Sequence, residues 1–534
     1  MPDEEPRLLL TENGPTLQWR GLSLYPPADP VEYARRKARV FSPLPRTLVF
    51  VPSLGLGHGL ADLLRRLPDD CGILCIEAFQ EIMGIALTQE LPRDPRLLIV
   101  RTADPAAAAG ALHEMGVGRF RRVVELPLCA GYRLAPEIYA SLRRALESEI
   151  SLHWQNRLTL IGMGSLQVRN IFSNMPRLAT ASDFACLSTP LPAVVCGAGP
   201  SLEQSIPLMR ELRDRYVLVA ADTALPTLTA CGCAPDIVVA LEAQAANLQD
   251  FLPGVGPEVR LACDISSHPV APRLFPEERL FFFSSRFAPL SVFERMAARG
   301  LLPARFPALG SVGVAAVHAA LRLTSGPVLL AGLDFSFPGS RTHARGSPSQ
   351  QAMLRTAGRT RPVGLDAYRA LCARSLLKVK DKNGRDVITD RVLSSYRDTL
   401  ESEAGREAGR VGDIGPEGLP LGVPHLSPSE VRAILGAAPA GAVRLRRAAR
   451  PRAAAGQVRG FLRSERELLG RSGAATLGVL PAAEMRALLR AVDHAWVHFP
   501  DEPDLDAPDP GFLARVRVAA VYYERRIERI ESVL

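Results

Sequence analysis

The chain has 534 residues, of which 47% are hydrophobic and 22% are charged. This composition is typical of a globular protein of several domains and excludes wholesale disorder, a collagen-like fibre and a small disulfide-stapled scaffold. No apolar run is long enough to span a bilayer, and the acidic start MPDEEPRLLL is unlike a secretory signal. We therefore expect no membrane insertion. The nine cysteines form no paired CxxC motifs, which favours reduced thiols and a cytoplasmic location.

The positive charge is concentrated in one segment. The net charge is +8 in total, and residues 441–472 hold nine arginines and two glutamates, a net charge of +7. A broad basic face for nucleic acid is therefore not indicated. The segment is either a solvated helix face or a docking surface for an acidic protein.

Residues 1–185 predict an N-terminal Rossmann-like α/β domain. The apolar run 47–51 leads into a glycine-rich stretch around Gly55, a helix follows, and a second apolar run, 73–76, ends at Glu77. This spacing fits a nucleotide-binding fingerprint in which the acid takes a ribose hydroxyl. It equally fits a packed βαβ unit whose glycines only permit close contacts, and the sequence leaves both interpretations open.

Residues 186–435 predict a central domain with a mostly parallel, Rossmann-like sheet. Three successive apolar strands, linked by helices, end at Gly197, Asp222 and Glu242. Because the carboxyl ends of parallel strands lie at one edge of a sheet, and ligands bind at that edge, we expect these three residues to converge on one site.

The first of these strands runs into the sequence GAGPSL at residues 197–202. Pro207 lies in the following helix, where a proline is tolerated near the start and is costly further in. We therefore predict that Ser205, rather than Ser201, caps the helix. Residues 197–204 then form a loop whose free N–H groups bind an anion.

Further candidate residues follow toward the end of the central domain. Ser311, after Gly310, is predicted to cap a helix and to offer a second anion-binding N-terminus. A later buried strand delivers Asp334, and His343 lies just beyond it. Residues 436–534 predict a small helical C-terminal region with periodic apolar segments.

Several central motifs are similar to those of a known family. The sequence VVCGAGPSL at residues 194–202 resembles the GxGPSL motif of the motility accessory factor (Maf) flagellin glycosyltransferases. The resemblance extends to ADTA at 221–224, CAPD at 233–236, LDFS at 333–336 and THA at 342–344, and in outline from about residue 20 to residue 430. It implies an α/β, Rossmann-like central domain of the MptE-like type, similar also to bacterial sialyltransferases.

The resemblance also implies an activity. It is transfer of a nonulosonic, sialic-acid-like sugar from a CMP-activated donor to Ser or Thr of flagellin, in support of flagellar assembly and motility. The residues expected to hold the nucleotide are Gly197, Gly199, Pro200, Ser201, Asp222, Thr223, Glu242, Gly310 and Ser311. A free imidazole titrates near pH ~6.5, so His343 is expected to take the acceptor's proton, with Asp334 orienting the ring.

Two other functions remain open from the sequence. Archaeal MptE-like relatives are 6-hydroxymethyl-7,8-dihydropterin pyrophosphokinases that use ATP and magnesium, which is the one cofactor left open here. In that case Asp222, Asp236 and Glu242 would hold the metal, although Glu242 stands where the family is expected to have Asp. The long flanks of the central domain favour the glycosyltransferase. A flagellin-binding assembly factor without catalysis is the third alternative.

Overall fold

The computed structural model describes residues 5–252, 254–407, 409–439, 444–448, 454–474, 480–500 and 503–534. It divides into two compact units, Met1–Thr159 and Leu160–Leu534. The domain boundaries expected near residues 185 and 435 remain a prediction. Of the helices within the described ranges, none combines the length and the apolar character that crossing a membrane requires.

The first unit contains two sheets. An antiparallel sheet is formed by β1 (Arg7–Thr11), β2 (Gly14–Trp19) and β3 (Leu22–Ser23). A parallel sheet has the order β6-β5-β4-β7 and consists of β4 (Thr47–Pro52), β5 (Gly72–Glu77), β6 (Leu97–Arg101) and β7 (Arg122–Glu125). The helices are α1 (Pro30–Val40), α2 (Leu60–Arg66), α3 (Gln80–Ala86), α4 (Pro105–Glu114) and α5 (Pro136–Leu178), the last of which continues past residue 159.

Glu77, the acid expected to contact a ribose, is fully buried at the end of β5. Its carboxylate accepts hydrogen bonds from Ser53 Oγ at 2.8 Å and the Leu54 amide at 2.9 Å. It also accepts from the Phe79 amide at 3.1 Å and the Tyr139 hydroxyl at 3.0 Å. Because these bonds occupy both oxygens, Glu77 joins the ends of β4 and β5 to helix α5. The packed βαβ interpretation therefore fits this unit.

The second unit is built on a large parallel sheet with the order β15-β14-β13-β12-β11-β10-β16-β19 and with β8 beside β14. Its strands are β8 (Ser182–Asp183), β10 (Ala193–Cys196), β11 (Val217–Ala221), β12 (Ile237–Ala240), β13 (Arg260–Asp264), β14 (Leu280–Ser284), β15 (Ala304–Arg305), β16 (Val328–Ala331) and β19 (Val411–Asp413). Short antiparallel pairs join β9 (Leu187–Ser188) to β20 (Arg446–Arg447) and β17 (Leu376–Lys380) to β18 (Asp386–Asp390). The predicted α/β class is confirmed.

Helices cover both faces of this sheet. They are α6 (Leu202–Glu211), α7 (Leu225–Ala230), α8 (Ser291–Ala298), α9 (Val312–Leu323), α10 (Pro348–Thr356), α11 (Val363–Cys372), α12 (Arg391–Gly405), α13 (Pro428–Gly436), α14 (Ala455–Gly473), α15 (Ala482–Ala491), α16 (Asp493–Trp496) and α17 (Pro510–Glu531). Val458 and Phe461 of α14 and Val516 of α17 share one core with Leu261 and Phe282 of the sheet. The C-terminal helices are therefore packed onto the sheet.

The start of α6 differs from the prediction. The helix begins at Leu202 with Ser201 as its N-cap, so Pro207 lies inside it and the predicted cap at Ser205 is wrong. Ser201 makes no capping bond, because its hydroxyl and its amide both donate to Asp334. This contact with a residue far along the chain fixes the turn at Ser201, and the helix starts there despite the proline.

The basic segment 441–472 lies only partly within the described residues, because 441–443 and 449–453 fall outside them. Three of its arginines have intramolecular partners. Arg444 pairs with Asp214 at 2.6 Å, Arg447 donates to Ser182 Oγ at 2.6 Å, and Arg466 pairs with Glu531 at 2.8 Å. These contacts attach the segment to its own unit.

Candidate active site

Four strand ends meet at one edge of the large sheet. Strands β10, β11, β12 and β16 are parallel neighbours. Gly197, Asp222, Glu242 and Asp334 follow these strands within three residues, so the structure brings the predicted residues to the same edge. The chain runs outward from β10 through β11 and β12 and returns to β16 on the other side of β10. The gap between β10 and β16 is therefore the topological switch point, where open α/β sheets bind ligands.

Two backbones touch at this switch point. A Cβ atom at Gly197 would lie 2.5 Å from the Gly332 carbonyl oxygen, and a Cβ at Gly332 would lie 2.6 Å from the Gly197 carbonyl oxygen. A Cβ at Gly199 would lie 2.7 Å from the carboxylate of Asp334. No other residue type fits these positions without a backbone shift, so the loop after β10 and the loop after β16 form one packed structure.

This packing uses most of the amides that were expected to bind an anion. Gly197 N donates to Ala331 O at 2.9 Å, Gly199 N donates to Gly332 O at 2.8 Å, and Ser201 N donates to Asp334 Oδ2 at 2.8 Å. Leu202 N closes a turn, and Pro200 has no N–H. Within residues 197–202, the Ala198 amide is the one left for a ligand. The predicted cradle is thus much smaller than expected.

Asp334 is buried beneath the glycine-rich loop, with 3% of its surface exposed. Burial raises the pKa of its carboxyl to about 6, against the lowering effect of its two hydrogen bonds from Ser201 and of the nearby Lys382 ammonium. The described residues contain no hydrogen bond between Asp334 and His343. Asp334 therefore positions Ser201 and the loop, and the expected orientation of the imidazole by this carboxylate is not what the structure has.

The segment that carries His343 is nevertheless attached to the glycine-rich loop. Ala344 N donates to Ala198 O at 2.9 Å, and Glu203 of α6 accepts from Arg341 Nη1 and from Arg345 N, each at 2.8 Å. These three bonds attach residues 341–345, which include His343, to the glycine-rich loop and to the start of α6.

The His343 ring is half-buried, and its Nδ1 atom is buried without a hydrogen-bond partner. Burial, assisted by the positive charge of Arg374, lowers the pKa of this imidazole from its usual 6.5. The ring is therefore neutral at neutral pH, and it can accept a proton.

Asp222 and Glu242 form an acidic group with Asp250, which the sequence analysis missed. Asp222 is fully buried, and its pKa is raised well above the usual value by burial and by the charges of Asp250 and Glu242. Burial and the charge of Glu242 raise the pKa of Asp250 to about 7, and burial raises that of Glu242. Thr223 donates its amide to Asp222 Oδ1 at 2.8 Å. Partly protonated carboxyls of this kind both donate and accept hydrogen bonds, which suits the hydroxyls of a ribose or a sugar.

Gly310 and Ser311 form the start of α9, with Ser311 at the predicted N-cap. The Ser311 side chain makes no capping bond. A Cβ at Gly310 would lie 3.0 Å from a ring carbon of Tyr396, and the charge of Glu242 contributes to the raised pKa of that tyrosine after burial. Tyr396 therefore lies between the start of α9 and the acidic group, and the 12-residue helix directs its positive end toward this region.

Asp236 does not belong to the site. It precedes β12 whereas Glu242 follows it, so about 13 Å of extended strand separates the two. Its carboxylate pairs with Arg213 at 2.8 Å and accepts from Leu218 N at 2.8 Å. Within the described ranges no three His, Cys, Asp or Glu side chains are arranged to hold a metal ion. The predicted magnesium set of Asp222, Asp236 and Glu242 therefore does not fit this structure.

Lys382 is a further residue near the site that the sequence analysis missed. Its ammonium pairs with Asp413 and donates to Gly415 O at 2.9 Å, and the two side chains are 7% and 5% exposed. A Cβ at Gly415 would lie 3.2 Å from Ser201 Oγ. The ion pair therefore supports the segment that covers Ser201 and Asp334. The sequence does contain a signal for Lys382, because 60 of the 64 basic residues are arginine and a lysine is therefore rare in this chain.

Comparison with known proteins gives a family-model match, a structural match and two sequence relatives. Residues 169–340 match the family model described as 6-hydroxymethylpterin diphosphokinase MptE-like. The solved structure of the Maf glycosyltransferase from Magnetospirillum magneticum AMB-1 aligns with 99% of this chain and 92% of its own, with a TM-score of 0.60 and 15% identity, so the two share a fold. An uncharacterized protein of Treponema pallidum (strain Nichols) is 28% identical over 100% of this chain and 97% of its own length. A second protein of that organism is 33% identical over 16% of this chain and 40% of its own.

Proposed function

We propose that this protein is a glycosyltransferase, because residues 169–340 match the MptE-like family model and the chain shares the fold of the Maf glycosyltransferase. Its donor is a CMP-activated nonulosonic sugar, and its acceptor is a Ser or Thr hydroxyl of flagellin. In this role it acts in the cytoplasm and supports flagellar assembly.

The observation that carries the proposal is the composition of the switch point. The carboxyls of Asp222 and Asp250, which are buried, and of Glu242, which is half-buried, interact electrostatically with one another. Tyr396 interacts with Glu242 and contacts Gly310 at the start of α9. The first group suits the ribose and the base, and the helix start suits the phosphate. A nucleotide that spans both regions explains why the fold keeps acids and a helix N-terminus together.

The phosphate is bound by fewer groups than the sequence suggested. The Ala198 amide and the first amides of α9 hold it, whereas Gly197, Gly199 and Pro200 shape the loop and Ser201 is fixed by Asp334. The bond from the phosphate oxygen to the anomeric carbon breaks in the reaction. The leaving CMP then carries one more negative charge than it does in the CMP-sugar. The backbone amides therefore stabilise the leaving CMP more strongly than they stabilise the intact CMP-sugar.

His343 acts as the general base. As the acceptor oxygen forms its bond to the anomeric carbon, the hydroxyl proton passes to the neutral imidazole. The products are CMP, the glycosylated side chain and the proton on His343, which then passes to solvent.

The test compares His343→Ala with the full-length parent, using CMP-pseudaminic acid and purified flagellin. We expect transfer to fall by about 100-fold or more, the usual contribution of a general base, while CMP still raises the melting temperature. His113→Ala is the matched control, since that histidine is exposed in the first unit. Transfer by His343→Ala within twofold of the parent would remove the histidine from the mechanism.

A second function is favoured by the description of the matched family, which names a diphosphokinase. It predicts AMP release when ATP, magnesium and 6-hydroxymethyl-7,8-dihydropterin are supplied together. Release of AMP that depends on the pterin, with no transfer from any CMP-sugar, would replace the first proposal by this one.

A further inference from the structure

The second unit contains a cavity of about 670 Å³ that is separate from the candidate active site. Ser165, Leu166 and Arg169 of α5 form one wall, and Val518 and Tyr522 of α17 are on the opposite side. The volume is in the range of sites that bind small organic molecules.

The lining of this cavity is largely apolar, and part of it faces solvent. Phe499 and Tyr523 are buried in it, whereas Val518 is 73% exposed and Tyr522 is 48% exposed at its rim. Large apolar side chains exposed around a concave surface are typical of a binding site for an apolar group.

Arg169, which lines the cavity, and Arg526, which interacts with it electrostatically, both lack acidic partners among the residues that the structure describes. Within the described residues, neither Arg169 nor Arg526 forms an ion pair with a carboxylate. Arg526 donates only to Ser173 Oγ, at 2.8 Å. Burial lowers the pKa of Arg526, and the like charge of Arg169 contributes to that lowering. Two partly buried like charges repel each other, and an anion held in the cavity against Arg169 would offset that repulsion.

We propose that this cavity binds a small organic anion with an apolar body, whose acidic group lies against Arg169 and whose body lies between α5 and α17. The proposal does not depend on the glycosyltransferase activity. The cavity is nevertheless close to the candidate site, because the neighbouring Asn170 donates to Ala243 O at 3.0 Å, next to Glu242.

The probe for this site is 8-anilinonaphthalene-1-sulfonate, an aromatic sulfonate whose fluorescence rises in apolar surroundings. N-phenyl-1-naphthylamine has the same rings without the charge, so it reports on the apolar part alone. We expect saturable binding of the sulfonate to the folded full-length chain. Arg169→Gln should weaken the sulfonate by about tenfold or more and the neutral compound by less than twofold, because only the sulfonate loses a charged partner.

Two further variants make the result decisive. Arg525→Gln removes an exposed arginine from α17 and should leave both affinities unchanged. Val518→Glu adds a negative charge at an exposed rim position and should weaken the sulfonate without unfolding the chain. The proposal is overturned if Arg169→Gln and Val518→Glu both bind the sulfonate like the parent. It is also overturned if Arg169→Gln weakens the two compounds equally.

Discussion

The Lys382–Asp413 ion pair provides the sharpest test of how the candidate site is supported. Lys382→Met keeps the length of the side chain and removes its charge, so that Asp413 is left buried with only the Gly415 amide, at 2.9 Å, as a partner. Loss of one partner of a buried pair costs about 3–5 kcal/mol, because the remaining charge is neither solvated nor paired. The Asp413 and Lys382 side chains are 5% and 7% exposed, so the cost of a broken buried pair applies to them. We therefore expect a large fall in the free energy of unfolding.

The assay is urea unfolding of the full-length chain, followed by circular dichroism. Lys378→Met is the matched control, since Lys378 lies in the same β17–β18 region and its ion pair with Asp386 is 72% and 50% exposed. Exposed pairs contribute little to stability, so this variant should unfold at nearly the same urea concentration as the parent. Lys382→Met with Asp413→Leu should recover part of the loss, because no unpaired charge remains. A cost below about 1 kcal/mol for Lys382→Met would refute the reasoning.

Three further outcomes follow from the site and from the first unit. Gly199→Ala should misfold or lose nucleotide binding, because its Cβ would meet the Asp334 carboxylate at 2.7 Å. Gly364→Ala is the control, since a Cβ there has no neighbour within 4 Å, and the CMP-induced shift in melting temperature compares the two variants. If His343 is the base, the pH at which transfer falls to half its maximal rate should lie below 6.5, because burial lowers the pKa of the imidazole from that value and the ring must be neutral to accept the proton. A half-maximal rate reached above pH 6.5 would contradict this. Glu77→Gln should lower the free energy of unfolding by about 1–3 kcal/mol without changing CMP binding, because an amide places N–H groups against buried donors; a loss of CMP binding in a stable variant would revive the ribose role.

Much of the fold could be predicted because buried parallel strands are nearly continuous apolar runs. The runs that end at Gly197, Asp222 and Glu242 each form a strand of the large sheet, and parallel order places their ends together. The same rule separates Asp236 from them, since it lies before its strand. The direction of the strand alone therefore excludes Asp236 from the edge where Asp222 and Glu242 lie, although the family resemblance had grouped all three as metal ligands.

The details of the loop could not be predicted because they depend on contacts between distant segments. Asp334 holds Ser201 across 133 residues, and this contact outweighs the local preference that placed the cap at Ser205. The Gly199 amide donates to the Gly332 carbonyl oxygen, whereas the sequence alone predicted that this amide would be free to bind a phosphate. Asp250 lies in a short helical turn without a motif of its own, so only the three-dimensional structure relates it to Asp222.

The mutual contact of Gly197 and Gly332 has a consequence for how this protein can change over time. Each of the two positions excludes a side chain because of the other's backbone, so neither can accept a substitution while its counterpart stays in place. We therefore expect relatives of this chain to keep both glycines. A relative that replaces them should replace both, and the gap between its strands β10 and β16 should be wider. Ancestral intermediates with a single replacement would be selected against even if every catalytic group were intact.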